Sequence, residues 1–281
     1  MGPSMRNPFQ AVSRVVPMNE QPHQASPIPK LAVELLAEHL SDAGSTSDLA
    51  SLSLLARRHV PDIQRVLFRH IIIRTFRRCR GLTRTLRSEG TAERRIELAS
   101  MIRKISAVLN AQPNPGDQLF VSRDLIDLYV LCPELKHIVL EGPEELFPDI
   151  MALPYLGELT SIQTLTLTGP PGHLGLFLLC LLPSLEALHL FGDMPTSQFT
   201  GTFPVSGNGL RCITWGLTSP PTVEAIRWLF ANSDGVTGGD LTLVTSPPSA
   251  LELEHIREYA SLRGMLFHSA AVTEVLNPGQ P

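Results

Sequence analysis

Aromatic residues are scarce in this chain: 11 Phe, 3 Tyr and 2 Trp, or 6% of 281 positions. A surface that stacks single-stranded bases interleaves aromatic and basic side chains, and the basic stretch here offers only Phe68 and Phe76. Cysteine is sparse as well. Cys79, Cys132, Cys180 and Cys212 have no C-x-x-C spacing, so free thiols in a reducing compartment, cytoplasm or nucleus, are expected. Long apolar runs are missing. The longest, Leu174–Leu182, is too short to cross a bilayer and reads as a core helix. Met1–Pro17 lacks the apolar stretch of a signal peptide, and no membrane association is expected. Catalytic signatures are absent too: there is no H-E-x-x-H, G-x-S-x-G, Walker loop or dinucleotide fingerprint. Nine histidines show no ligand spacing, and Glu141, Glu144 and Glu145 read as a solvated turn. No catalytic residue, metal or cofactor is expected.

What is present is a repeated frame. It reads Cys-Pro-Glu-Leu-Lys-His-Ile-Val-Leu-Glu-Gly at 132–142, Leu-Thr-Ser-Ile-Gln-Thr-Leu-Thr-Leu-Thr-Gly at 159–169 and Leu-Pro-Ser-Leu-Glu-Ala-Leu-His-Leu-Phe-Gly at 182–192. Each copy sets aliphatics at Leu135/Ile138/Leu140, Ile162/Leu165/Leu167 or Leu185/Leu188/Leu190, with Gly two residues on. A weaker fourth copy has Leu210, Ile213 and Trp215, with Gly216 one place early. Alternating apolar residues make a short strand with one buried face. A helix or irregular turn must return the chain so that successive strands lie parallel. No single unit can bury its own apolar face, so neighbours stack. The frame and its period resemble leucine-rich repeats. That resemblance implies an α/β solenoid with a curved parallel sheet. Its concave face would carry His137, Val139 and Glu141, then Thr164, Thr166 and Thr168, then Ala187, His189 and Phe191. The slot three places after the last Leu, which holds Asn or Cys in that family, holds Pro143, Pro170, Asp193 and Thr218 here. Irregular, unequal returns are therefore expected. A non-repetitive α/β sheet is the other reading.

The remaining chain divides by composition. Residues 1–27, with five prolines, read as a disordered leader, and 277–281 as a disordered tail. Leu31, Leu35, Leu36 and Leu40 recur at helical spacing after Pro29. Asp48 can cap a second helix bearing Leu49, Leu52 and Leu55, and a third short helix is expected over Asp62–Val66. Leu-Phe-Arg-His-Ile-Ile-Ile at 67–73 then reads as a strand. Ile102–Ile105 reads as an irregular strand, Asp124–Leu131 and Ser249–Leu262 as helices, and Met265–Phe267 as the last strand. Residues 57–104 carry 14 Arg or Lys against 4 acids, a local charge of +10, which leaves −14 for the rest. The bland account of this block is a solvated helical face balancing acidic neighbours.

Residues 28–73 resemble the F-box of fungal proteins that run on into degenerate leucine-rich repeats. The likeness rests on Ile28-Pro29, on Ser53-Leu54-Leu55-Ala56-Arg57-Arg58-His59, and on Leu67-Phe68-Arg69 with Ile71-Ile72-Ile73. It implies an F-box-like module over 28–73 and a repeat domain over 74–276. It further implies a substrate receptor of a cullin–RING ubiquitin ligase that itself catalyses nothing. A Skp-family adaptor would dock on Pro29, Leu31, Leu35, Leu36, Leu40, Leu52 and Leu55, and a target protein on the repeat sheet. Two other readings stay open. One is a repeat scaffold outside the ubiquitin system. The other is a nucleic-acid-associated protein using residues 57–104, although nucleic acid is not the expected partner.

Overall fold

The computed structural model describes residues 60–88, 91–109, 118–142, 153–169, 172–193, 209–230, 238–244 and 248–269. The order is α1 (Val60–Arg69), β1 (His70–Ile73), α2 (Phe76–Ser88), α3 (Ala92–Met101), β2 (Lys104–Val108), α4 (Gln118–Leu131) and β3 (His137–Glu141). A 3₁₀ turn (Leu153–Glu158), β4 (Thr164–Thr168), α5 (Gly172–Leu181), β5 (Ala187–Gly192) and β6 (Cys212–Leu217) follow. The series ends with α6 (Val223–Leu229), β7 (Asp240–Leu243), α7 (Ala250–Leu262) and β8 (Leu266–Ser269). The chain is thus α/β, with one eight-stranded sheet in the order β1 to β8 and every pair parallel.

Register explains the shared frame. Ile71, Ile105, Ile138, Leu165, Leu188, Ile213, Leu241 and Phe267 face one another across all eight strands. Two places on, Ile73, Ala107, Leu140, Leu167, Leu190, Trp215 and Leu243 form a second row. Apart from Ile71 and Phe267, which pack against the core from partly buried positions, both rows are fully buried and join one core with Leu86, Leu125, Leu128, Leu178, Ile226 and Ile256 from the helices. Residues between these rows are only half-buried or exposed, Ser106 excepted. One face of the sheet is therefore packed under helices and the other lies open.

The position three before the first row holds Phe68, Ile102, Leu135, Ile162, Leu185 and Leu210, then Gly238 and Gly264. The frame therefore runs through the whole sheet, beyond the four copies visible in the sequence. β2, expected to be irregular, pairs residue for residue with β3, and begins at Lys104 rather than Ile102. Leu67-Phe68-Arg69 is not strand: it is the last turn of α1, and the strand begins at His70. A short apolar run does not distinguish helix from strand, and here Phe68 packs on the core as the final helical anchor. Residues 70–73, which the F-box resemblance includes in the N-terminal module, are the first strand of the sheet. α4 starts six residues before the expected Asp124. The last strand runs Leu266–Ser269, with Met265 buried just before it.

The returns are unequal, as the missing Asn or Cys slot led one to expect: strand starts are 34, 33, 27, 23, 25, 28 and 26 residues apart. Regularity is kept at the strand starts by the backbone. The N–H groups of Arg103, Lys136, Gln163, Glu186 and Arg211 each donate to the carbonyl of the equivalent residue one strand back, at 2.8–2.9 Å. After the strands, Thr218 Oγ1 donates to Asp193 Oδ1 at 2.8 Å, which links two of the four atypical slot residues. Pro143 and Pro170 lie outside the described residues.

The recurring glycine has a steric cause. Gly169 and Gly192 turn at φ 76° and 91°, and a Cβ on Gly192 would come within 2.7 Å of the Gly169 nitrogen. Gly216 has a different task. It pairs with Phe191 and leaves room for that ring, since a Cβ there would meet Phe191 Cδ1 at 2.4 Å. Its early place in the frame is thereby explained.

Denaturant unfolding of single variants tests this arrangement. Leu165→Ala and Leu188→Ala are each expected to cost about 2–5 kcal/mol through lost burial and a residual cavity. Thr166→Ala, on the open side of the same strand as Leu165, should cost about 0.5 kcal/mol or less. Gly192→Ala should cost about 1–3 kcal/mol, because it combines a left-handed φ with a backbone clash. The Tyr129 hydroxyl is buried without a hydrogen-bond partner among the described residues. Tyr129→Phe should therefore leave stability unchanged or raise it. A loss as large as that of Leu188→Ala would show that the hydroxyl is bonded.

Candidate binding face

The nine residues expected on the binding face all project from the open side of β3, β4 and β5. Their row mates complete the surface. The row at the strand starts runs His70, Lys104, His137, Thr164, Ala187, Cys212, Asp240 and Leu266. The middle row runs Ile72, Ser106, Val139, Thr166, His189, Thr214, Thr242 and His268. A shorter third row holds Val108, Glu141, Thr168, Phe191 and Gly216. His70, Lys104, Ser106, Thr214, Thr242 and Asp240 were not singled out from the sequence. The signal that would have found them is their place in the frame, which is hard to see where Ala107 or Trp215 stands for an aliphatic.

Hydrogen bonds run across the strands on this face. His70 Nε2 lies 2.8 Å from Ser106 Oγ, and His189 Nδ1 lies 2.9 Å from Thr214 Oγ1. The Cys212 thiol points at Asp240 Oδ2, 3.8 Å away. Side chains are thus pre-positioned by the row beside them. A partner meeting them gives up little rotamer freedom of theirs, because the β-branched threonines are already stiff at χ1.

The electrostatics differ from what three histidines beside a lysine suggest at first. Burial, then Lys104, holds His70 below its ordinary value of 6.5, and the same two causes act first at His137. Burial alone lowers His189. These rings are neutral at pH 7 and offer one donor and one acceptor each. Lys104 is the cation of the strand-start row, and Asp240 the anion at its far end. Thr164 and Ala187 between them carry no charge.

Activated nucleophiles are not what the cysteines supply. Burial pushes the Cys79 and Cys132 thiols up to about 12 and Cys180 to about 11. No group of three or more His, Cys, Asp or Glu side chains among the described residues could hold a metal ion. No described helix is long and apolar enough to cross a membrane. The face is a broad, mostly uncharged, hydrogen-bonding surface, with Val139 and Phe191 half-buried at its centre and Ile72 and Leu266 as exposed apolar side chains on its two edge strands. Pro29, Leu31, Leu35, Leu36, Leu40, Leu52 and Leu55 lie outside the described residues.

The histidines carry a pH signature. The unfolded chain takes up a proton on each near pH 6.5, and the folded chain resists it to lower pH. Their contribution to stability is therefore complete above about pH 6.5 and declines as pH falls below it. The melting temperature should drop between about pH 7 and pH 5.5, before carboxylates begin to titrate. His189→Gln, which can still bond Thr214, should flatten that drop. An unchanged slope in His189→Gln would mean that His189 is not held neutral.

No protein-family model matches the chain, and neither a curated protein nor a solved structure matches it.

Proposed function

We propose that this chain is a substrate receptor of a cullin–RING ubiquitin ligase. The F-box-like residues 28–73 capture a Skp-family adaptor, and the open face of a leucine-rich-repeat-like solenoid captures the protein to be modified. The observation that carries this reading is a junction. Leu67-Phe68-Arg69, the closing motif of the F-box-like frame, forms the last turn of α1, and His70 begins β1 with no linker between them. A target held on the sheet would thus lie beside the closing turn of the module. The sequential strand order supports the solenoid reading, because each strand pairs only with its chain neighbours. The chain's role is to hold two partners, and the transfer chemistry belongs to other subunits.

On the open face, Phe191 and Val139 supply the apolar contact, and His189, Thr166 and Thr214 the polar pattern that selects a partner. On the module, Leu35, Leu36, Leu52 and Leu55 supply stripes suited to an apolar groove.

Two measurements test the proposal. Adaptor capture by the full chain should be lost in Leu35→Asp and Leu55→Asp and kept in Glu38→Ala, with thermal melts confirming that the domain remains folded. Target capture should fall in His189→Ala combined with Phe191→Ala while adaptor capture persists. A wild-type chain that binds no Skp-family adaptor would sink the ligase reading. It would leave the open face as that of a repeat scaffold outside the ubiquitin system.

A further inference from the structure

The basic block divides into two classes of arginine. On α2, Arg80 pairs with Asp124 at 3.1 Å and Arg87 with Asp127 at 2.9 Å, both carboxylates on α4. These two answer to the simple account of a solvated face balancing its neighbours. Arg74, Arg77, Arg78 and Arg84 do not. All four are exposed, and their side chains make no ion pair or hydrogen bond among the described residues.

Helical geometry gathers them. Cys79, Thr83 and Leu86 form the buried stripe of α2. Arg77, Gly81, Arg84 and Ser88, at i, i+4, i+7 and i+11, form the opposite stripe, with Arg78 beside it and Arg74 two residues before the helix begins. Gly81 stands in the middle. Glycine inside a helix weakens it relative to alanine, so its presence there calls for a reason. Packing supplies none, because a Cβ at Gly81 would meet nothing within 4 Å. What the missing side chain does is open a saddle: the helix backbone is bare between arginines one turn before and one turn after.

The chemistry of the partner follows from what surrounds the saddle. The outward stripe carries no apolar side chain, whereas protein partners are held by an apolar or aromatic interface centre. A phosphate backbone needs only charge and geometry. Of the 14 cations in 57–104, all but Lys104 are arginine, whose planar fork suits two phosphate oxygens at once. We propose that the outer face of α2 binds the phosphate backbone of duplex nucleic acid, seated over Gly81 and clamped by Arg74, Arg77, Arg78 and Arg84, without reading its sequence. This surface lies on a helix, apart from the open sheet face, and the proposal stands independently of the ligase reading.

The test is titration of the full chain against a labelled duplex of random sequence. Four phosphate contacts predict a slope of about −3 to −4 for log affinity against log salt, or about a 100-fold loss between about 50 and 200 mM salt. Arg77→Glu with Arg84→Glu should reduce the slope by about 2, one unit per lost phosphate contact. Arg257→Gln, on α7, should change neither affinity nor slope. Gly81→Leu separates fold from contact: its melting temperature should match or exceed that of the wild type, while duplex affinity falls several-fold. Wild-type affinity in either α2 variant, or no duplex binding at the lowest salt, overturns the assignment. Poly-glutamate competing as well as duplex at equal charge also overturns it, and would assign the surface to an acidic protein segment.

Discussion

Each strand of the sheet hydrogen-bonds only to the strands immediately before and after it in the chain. A unit on its own would expose two aliphatics per strand, so its stability is borrowed from its neighbours. The uniform residue-for-residue register follows from this. A slip of one residue at any strand would turn its buried row outward and set its threonines or histidines against the core. The same constraint shapes the glycines. A Cβ on Gly192 would run into the backbone of Gly169 on the neighbouring strand, while Gly216 yields its volume to Phe191 on the open side. Small residues stand where backbone or ring must fit, and elsewhere the returns are free to differ in length.

Legibility followed the strength of the alternation. β3, β4 and β5 were readable because apolar positions alternate regularly with their neighbours and a glycine closes each copy. β2 was expected, but as an irregular strand over Ile102–Ile105; its true extent to Val108 was obscured because Ala107 fills a buried slot and Ser106, on the open side, is itself buried. The first half of α4 hid for a related reason: Ser122 is fully buried, and a polar residue at a core position breaks the apolar period that announces a helix. The division of the arginines was not legible at all. Partners such as Asp124 and Asp127 lie 44 and 40 residues further along, and only the packing of α2 on α4 brings them within reach. Of the binding face, the nine residues on the three clearest strands could be placed from the frame. The cross-strand bonds that hold His70 and His189 could not, since both depend on register between units of unequal length.

The open face gains its character from being only half-open. Rows of side chains spaced by the strand repeat shield one another, so a histidine here loses some of its hydration without being sealed off. That incomplete loss is enough to keep His70, His137 and His189 neutral. It is not enough to make any of them costly to maintain, because Ser106 and Thr214 replace some of the lost water at His70 and His189. A face of neutral donors and acceptors favours selection by pattern over capture by charge, since each unmatched polar group left buried by a wrong partner costs about 1–3 kcal/mol.

Charge on the open face is sparse, Lys104, Glu141 and Asp240 among mostly neutral side chains, and exposed arginines of the basic block gather at one end of the sheet. Arg74, Arg77, Arg78 and Arg84, without an ion pair among the described residues, lie on α2 and just before it, and α2 packs on β1, α3 and α4 at one end of the sheet, whereas the strand-start row reaches its anion, Asp240, at β7 near the other. Exposed charges more than a Debye length of about 8 Å apart are largely screened at physiological salt. With neighbouring strands about 4.8 Å apart, β1 and β7 are several such lengths from each other. These arginines therefore contribute little to the field felt at the far strands of the open face. A change in salt acts mainly on the arginine end, and a substitution in one row of the sheet mainly on the open face.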